Sequence, residues 1–235
     1  MFSPLPRDTG PVYQACYRLD ADALRRALAN LTAEGDVSFR RLGTAGHVGF
    51  TPLHIIVDRS DNAEMVSMLL KAGHDINART NTDGPTALHI AVGHGRVDCV
   101  AALLAAGASL TVKYRRSPGL TPLDCVTNKN DNKFRRIVPM LLRAGSDMPP
   151  LDRLPYGGYE QPFPDFRPFT GTDRRILQKY LKKILKSGPK GRGTFATYEK
   201  AHRAKLTRVF VPKFPQLPAE IVPTIVAYAF HTGWY

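Results

Sequence analysis

Through residue 150 the apolar positions follow helical spacing in short blocks separated by polar turns, and the same two blocks keep returning. One block opens on Thr51-Pro52-Leu53-His54, Thr86-Ala87-Leu88-His89 and Thr121-Pro122-Leu123-Asp124, each 35 residues after the last. The other carries Met65, Val66, Leu69 and Leu70, then Val97, Val100, Leu103 and Leu104, and its third copy is the string IVPMLLRAG from residue 137. A threonine hydroxyl can cap a helix, and proline at the first helical position gives up no hydrogen bond. Each unit therefore predicts a short first helix, a polar turn (58–62, 93–98 and 127–132) and a second helix with one apolar face. Gly73, Gly107 and Gly145 follow the second helices, where a left-handed residue ends a helix at least cost. A repeat of this length describes stacked supersecondary units.

The strings TPLHII and TALHIA resemble the ankyrin-repeat family, whose unit of a β-turn and two helices carries T-P-L-H-x-A. The resemblance implies an all-α solenoid of about four repeats over residues 1–150, with Thr51–His54 and Thr86–His89 bonding within and between units. Asp124 replaces the histidine and can accept but not relay a hydrogen bond, and Pro139 falls within the last second helix; both suggest a looser edge unit. Residues 12–31 have the spacing of two short helices around Leu19–Asp22 without the Thr-Pro start, as a terminal repeat would.

The same resemblance implies protein binding through a concave face built from first helices and loop tips. The tips fall at 40–49, 77–84 and 112–119. Lys113, Tyr114, Arg115 and Arg116 form the strongest candidate there, because Tyr and Arg are enriched at binding hot spots and the cluster would attract an acidic surface. Arg40, Arg41, Arg59, Arg79 and Asn81 are further candidates on that surface.

Beyond the repeats, residues 151–170 are rich in proline and aromatics and read as an extended connector that packs on the last repeat. Residues 171–235 read as a basic helical region. A helix from Thr172 carries Ile176, Leu177, Tyr180, Leu181, Ile184 and Leu185 on one stripe. A second, from Thr194 to about Phe210, has Tyr198, Ala201, Leu206, Val209 and Phe210 as its expected apolar side. Between them Lys190, Arg192, Gly193 and Thr194 lie at a glycine-rich junction whose backbone N–H groups could hold an anion. The opening Leu217-Pro218-x-Glu220-Ile221 resembles the first helix of F-box or suppressor-of-cytokine-signalling-box modules, which implies an adaptor of a ubiquitin ligase; Pro223 is expected to interrupt that helix.

Charge sharpens the division. The net charge is +13, and residues 174–213 alone hold 13 basic groups against one acid, Glu199. An anionic partner, nucleic acid or membrane surface, is the corresponding reading. Cys16, Cys99 and Cys125 sit in apolar patterns and read as buried free thiols of a reducing, intracellular compartment, cytoplasmic rather than nuclear because the basic runs are diluted by apolar residues. No histidine, cysteine or serine falls in a metal-binding or nucleophile motif, so no cofactor or catalysis is expected and non-catalytic protein recognition is the first expectation.

Overall fold

The computed structural model describes residues 10–30, 49–80, 83–114, 119–126, 131–147, 179, 181–188, 193–213, 215–218 and 221–231. The repeats form two layers of helices. Helices α1 (Pro11–Arg18), α3 (Pro52–Arg59) and α5 (Ala87–His94), with a 3-10 turn at Pro122–Cys125, make the first layer. The second is α2 (Ala21–Ala29), α4 (Ala63–Lys71), α6 (Val97–Ala105) and α7 (Asp131–Arg143). In the first three units each helix packs on its partner, and all four units pack on their neighbours one repeat away, so the core runs continuously from Val12 to Leu142. Among the described residues β structure is limited to two isolated bridges, Arg79–Thr86 and Tyr114–Leu120, at the tips between repeats.

The recurring threonine and histidine explain how a first helix can be buried on all sides. Thr51 Oγ1 lies 2.8 Å from His54 Nδ1, and the Thr51 N–H donates to the same nitrogen at 3.1 Å. Thr86 and His89 repeat the arrangement at 2.8 and 3.2 Å. A nitrogen that accepts a backbone N–H carries no proton, so the neutral ring holds its hydrogen on Nε2. In His89 that group donates to the Leu120 carbonyl at 3.1 Å, tying one repeat to the next. His54 Nε2 falls outside hydrogen-bond geometry, although the Pro85 and Ala78 carbonyls lie close enough to favour its charged form. Burial outweighs these carbonyls and lowers both rings to about 4, which leaves them neutral near pH 7.

Asp124 satisfies only the local half of this scheme. Its Oδ2 accepts from Thr121 N at 2.8 Å and Thr121 Oγ1 at 2.6 Å, and the first helix of this last unit contracts to four residues of 3-10 turn. Pro139 sits well inside α7, as its ninth residue, where its ring removes one intrahelical donor. In the first unit Leu19, with φ 58°, ends α1 in the left-handed region that Gly95 takes at φ 67° after α5, while Gly73, Gly107 and Gly145 follow second helices at φ 87°, 84° and 100°. At the tip preceding α3, Gly49 has φ 81°, and a Cβ there would stand 1.5 Å from the Thr80 carbonyl oxygen of the next tip.

The carboxyl-terminal elements are α8, described over 181–186, α9 (Phe195–Phe210), a 3-10 turn at Val211–Lys213 and α10 (Ile221–His231). Leu181, Ile184 and Phe195 join the core of the repeats, and α9 packs on α7 and α10. The inward side of α9 differs from the expected one. Phe195, Tyr198, Glu199, His202, Arg203, Leu206, Thr207 and Phe210 are buried or half-buried, whereas Ala201 and Val209 face solvent. The rotation brings Glu199 to Arg143 of α7, and Arg203, one turn on in α9, turns in with it and pairs with the same carboxylate. Pro223 does not break α10 either; it lies in the first turn, where its missing N–H has no intrahelical partner to lose. The proposed packing of the 151–170 connector lies outside the described residues.

Because the folded pKa values of His54 and His89 lie below the unfolded value, the unfolded chain binds more protons between pH 6.5 and about 4. Their stabilising contribution is complete above that window and lost as pH falls through it, on the order of 3 kcal/mol per ring. Urea midpoints measured across the window should fall with pH, and His89→Gln should flatten the dependence.

Candidate functional site

The buried faces of the first helices leave few side chains for recognition. In α3 every residue from Pro52 to Val57 is buried, and in α5 every residue from Ala87 to Gly93. What remains half-buried lies at the carboxyl-terminal ends of these helices, where Arg59 and His94 occupy equivalent positions eight residues beyond Thr51 and Thr86. The Arg59 guanidinium carbon stands 4.2 Å from the centre of the Tyr17 ring, so a cation is held over the aromatic face at the end of α1. One repeat along, His94 Nε2 lies 3.3 Å from Asp58 Oδ1, and Arg96 donates to the Asp58 carbonyl at 2.8 Å. Tyr17, Arg59, Asp58 and His94 thus form a row of aromatic, cationic and acidic groups across three repeats. Asp61 pins the row from behind, accepting the Cys99 N–H at 2.9 Å.

The tips are held by backbone contacts. Arg79 Nε donates to Gly84 O at 3.1 Å and its Nη2 to Lys113 O at 2.7 Å, so this side chain bridges successive tips. Asn77 Oδ1 accepts from Ser109 N at 2.8 Å across the same junction. Tyr114, expected to be a surface hot spot, is buried instead: its ring meets that of His89 edge-on at 5.1 Å. Lys113 is exposed beside it. Arg40, Arg41, Asn81, Arg115 and Arg116 lie outside the described residues. Of the sequence candidates, the structure therefore sets Arg59 in the row, Arg79 and Lys113 at the tips, and Tyr114 in the core. Sequence reasoning passed over Tyr17, Asp58 and His94, for which the available signal was their place at the ends of the repeated first helices.

The proposed anion site at 190–194 has a different use where it is described. Gly193 N donates to Leu185 O at 2.8 Å, and a Cβ on Gly193 would come within 2.2 Å of the Ile184 carbonyl oxygen. Thr194 caps α9: its N–H donates to Thr197 Oγ1 at 2.9 Å, and its hydroxyl accepts from Thr197 N at 3.3 Å. The Gly193 N–H is thus spent on joining α8 to α9 and the Thr194 N–H on capping α9; Lys190 and Arg192 lie outside the described residues.

Two groups with chemical potential are quiet. Burial pushes the Cys16 and Cys99 thiols up to about 12, which suppresses the nucleophilic thiolate. Among the described residues no group of three or more His, Cys, Asp or Glu side chains is placed to hold a metal ion. At the carboxyl-terminal junction Arg143 Nε meets Glu199 Oε1 at 3.2 Å, Arg203 donates to the same oxygen, and the Arg143 guanidinium carbon lies 5.6 Å from the Phe195 ring centre. His202 stacks on Tyr198 at 5.5 Å, and burial, then Lys205 and Lys183, lower its pKa.

The family model described as ankyrin repeats (3 copies) matches residues 12–114 and 53–150. The chain is similar to the B-cell lymphoma 3 protein of Homo sapiens, 31% identical over 144 residues, which cover 60% of this chain and 30% of that protein. It is also similar to the nuclear factor NF-kappa-B p105 subunit of Gallus gallus, 30% identical over 99 residues, covering 42% of this chain and 10% of that protein. A shorter match to the 85/88 kDa calcium-independent phospholipase A2 of Rattus norvegicus is 50% identical over 56 residues, 24% of this chain and 6% of that enzyme. The chain spans less than a third of the length of each of these relatives.

The Glu199 carboxylate has a side-chain exposure of 13% and compensates two arginines, so its neutralisation takes a charge partner from two partly buried cations. Glu199→Gln should cost about 2 kcal/mol by urea denaturation, a value reduced for the partial exposure of both arginines.

Proposed function

We propose, from the premise that the chain belongs to the ankyrin-repeat family, that its repeat array is a non-catalytic module that recognises another protein through the first-helix layer and the tips. The observation that carries this reading is the row Tyr17, Arg59, Asp58 and His94. Asp58, Arg59 and His94 project from helices whose other residues are buried, and Tyr17 and Arg59 are of the types enriched at binding hot spots. Lys113 and Arg79 extend the surface toward the tips, with Arg40, Arg41, Asn81, Arg115 and Arg116 of the neighbouring segments as further contributors, and the excess of cations favours an acidic partner. Binding fits the chemistry better than catalysis because the histidines of the motif are occupied in structure and the Cys16 and Cys99 thiols are held protonated.

A second reading, an anionic partner for residues 174–213, is favoured by the fate of Glu199. The one acid of that segment is engaged by Arg143 and Arg203, while Lys179, Lys182, Lys183, Lys186, Lys200, Lys205, Arg208 and Lys213 are exposed.

Site-specific photocrosslinking tests the first reading. A benzophenone side chain in place of Tyr17 or His94 should yield a discrete protein adduct in cell extract, whereas one in place of Ala101, exposed on α6, should not. Arg59→Ala should weaken the recovered complex by about 2 kcal/mol, roughly thirtyfold. Adducts from position 101 alone would place recognition on the opposite layer and overturn the reading.

A further inference from the structure

We propose that α9 and α10 together form a second docking surface, separate from the first-helix row, for an acidic amphipathic helix of a partner protein. The proposal rests on the second reading above, that the carboxyl-terminal third takes an anionic partner, and specifies the partner's form.

Three large aliphatic side chains are exposed here, Val209 at 44%, Ile221 at 45% and Ile225 at 48%. They are the exposed large hydrophobic residues among those described, and all three belong to this helix pair. Their placement is ordered. Val222 and Val226 are buried, so Ile221 and Ile225, each one residue earlier and about 100° round the helix, form an outward ridge of i, i+4 spacing. On α9, Ala201, Ala204, Lys205, Arg208 and Val209 face outward at spacings of three and four residues. The small alanines leave room for close approach of another helix, and Val209 adds an apolar anchor beside the cations.

Charge selects the occupant. Lys200, Lys205, Arg208 and Lys213 are exposed on or just after α9, and the acid of the same helix, Glu199, is turned inward to Arg143 and Arg203. A partner that buries the aliphatic ridge must therefore neutralise a rim of cations, which requires acidic side chains around an apolar stripe. A lipid surface would call for a broad apolar face with Trp or Phe at its edge, which the outward positions of α9 lack. Nucleic acid would engage the cations but gain nothing from Ile221 and Ile225, because single strands are held by aromatic stacking and duplexes through phosphates.

The test is fluorescence anisotropy with the full-length chain and a labelled, synthetic helix of about 18 residues, with leucines at i, i+3, i+4 and i+7 and glutamates elsewhere. A scrambled peptide of the same composition keeps the charge and destroys the stripe. The ordered helix should bind at least roughly tenfold tighter than the scrambled one at about 0.15 M salt. Ile225→Asp should weaken it by roughly tenfold, and the Lys205→Glu, Arg208→Glu double variant should do the same and reduce the salt dependence. Both changes are at exposed positions, and unchanged circular dichroism and melting temperature will certify the fold. Tyr17→Ala should leave this binding intact, which separates its failure from failure of the first-helix surface. Equal binding of the two peptides, no effect of Ile225→Asp, tighter binding to phosphatidylserine vesicles or duplex RNA, or no binding to the ordered helix would each overturn the proposal.

Discussion

The stacking of this protein depends on a buried imidazole that stays uncharged. His89 accepts from Thr86 at one nitrogen and donates to Leu120 of the next repeat at the other, so a single ring terminates one helix and fastens two units. That double use works only for a neutral ring. A protonated one would have no acceptor for the Thr86 N–H and would bring an unpaired charge into a site shielded from water. Satisfying the helix start from within lets α5 be apolar on every side and still leave no polar group stranded at its entrance.

This economy has a consequence for recognition. Residues that make the repeat recognisable are spent on holding it together, and the surface that the first-helix layer offers a partner is confined to positions the motif does not specify. Those positions are the helix ends carrying Arg59 and His94 and the tips joined by Arg79. The carboxyl-terminal third follows the same division. Phe195 and Glu199 secure α9 to α7, and the opposite side of α9 remains basic.

The repeat layer was legible in the sequence because its determinants are local: a capping threonine and a histidine three residues later, or a glycine at a helix end, announce themselves within one turn. The two short helices of the first unit were legible for the same reason, from apolar spacing alone. Contacts made across repeats were not. Asp58 and His94 come from different units, and neither spacing nor composition signals that they meet. Tyr114 carried a misleading signal, since an aromatic among basic residues at a tip reads as exposed, and only the facing His89 ring shows why it turns inward. In α9 the apolar pattern pointed to Val209, whereas the favourable pairing of Glu199 with Arg143 and Arg203 set the rotation. The proposed row lies at the ends of the repeated first helices, whereas residue type alone directed attention to the tips.

The most direct measurement of the central claim is a nitrogen-15 NMR titration of the imidazoles in the full-length chain. The account predicts that His54 and His89 hold their proton on Nε2 and stay neutral down to a pH near 4, with the Nδ1 resonances shifted as expected for hydrogen-bond acceptors. Titration of both rings near pH 6.5, or a proton resident on Nδ1, would contradict it: the rings would then be neither buried nor fastened as described, and the argument that leaves recognition to the helix ends would lose its foundation.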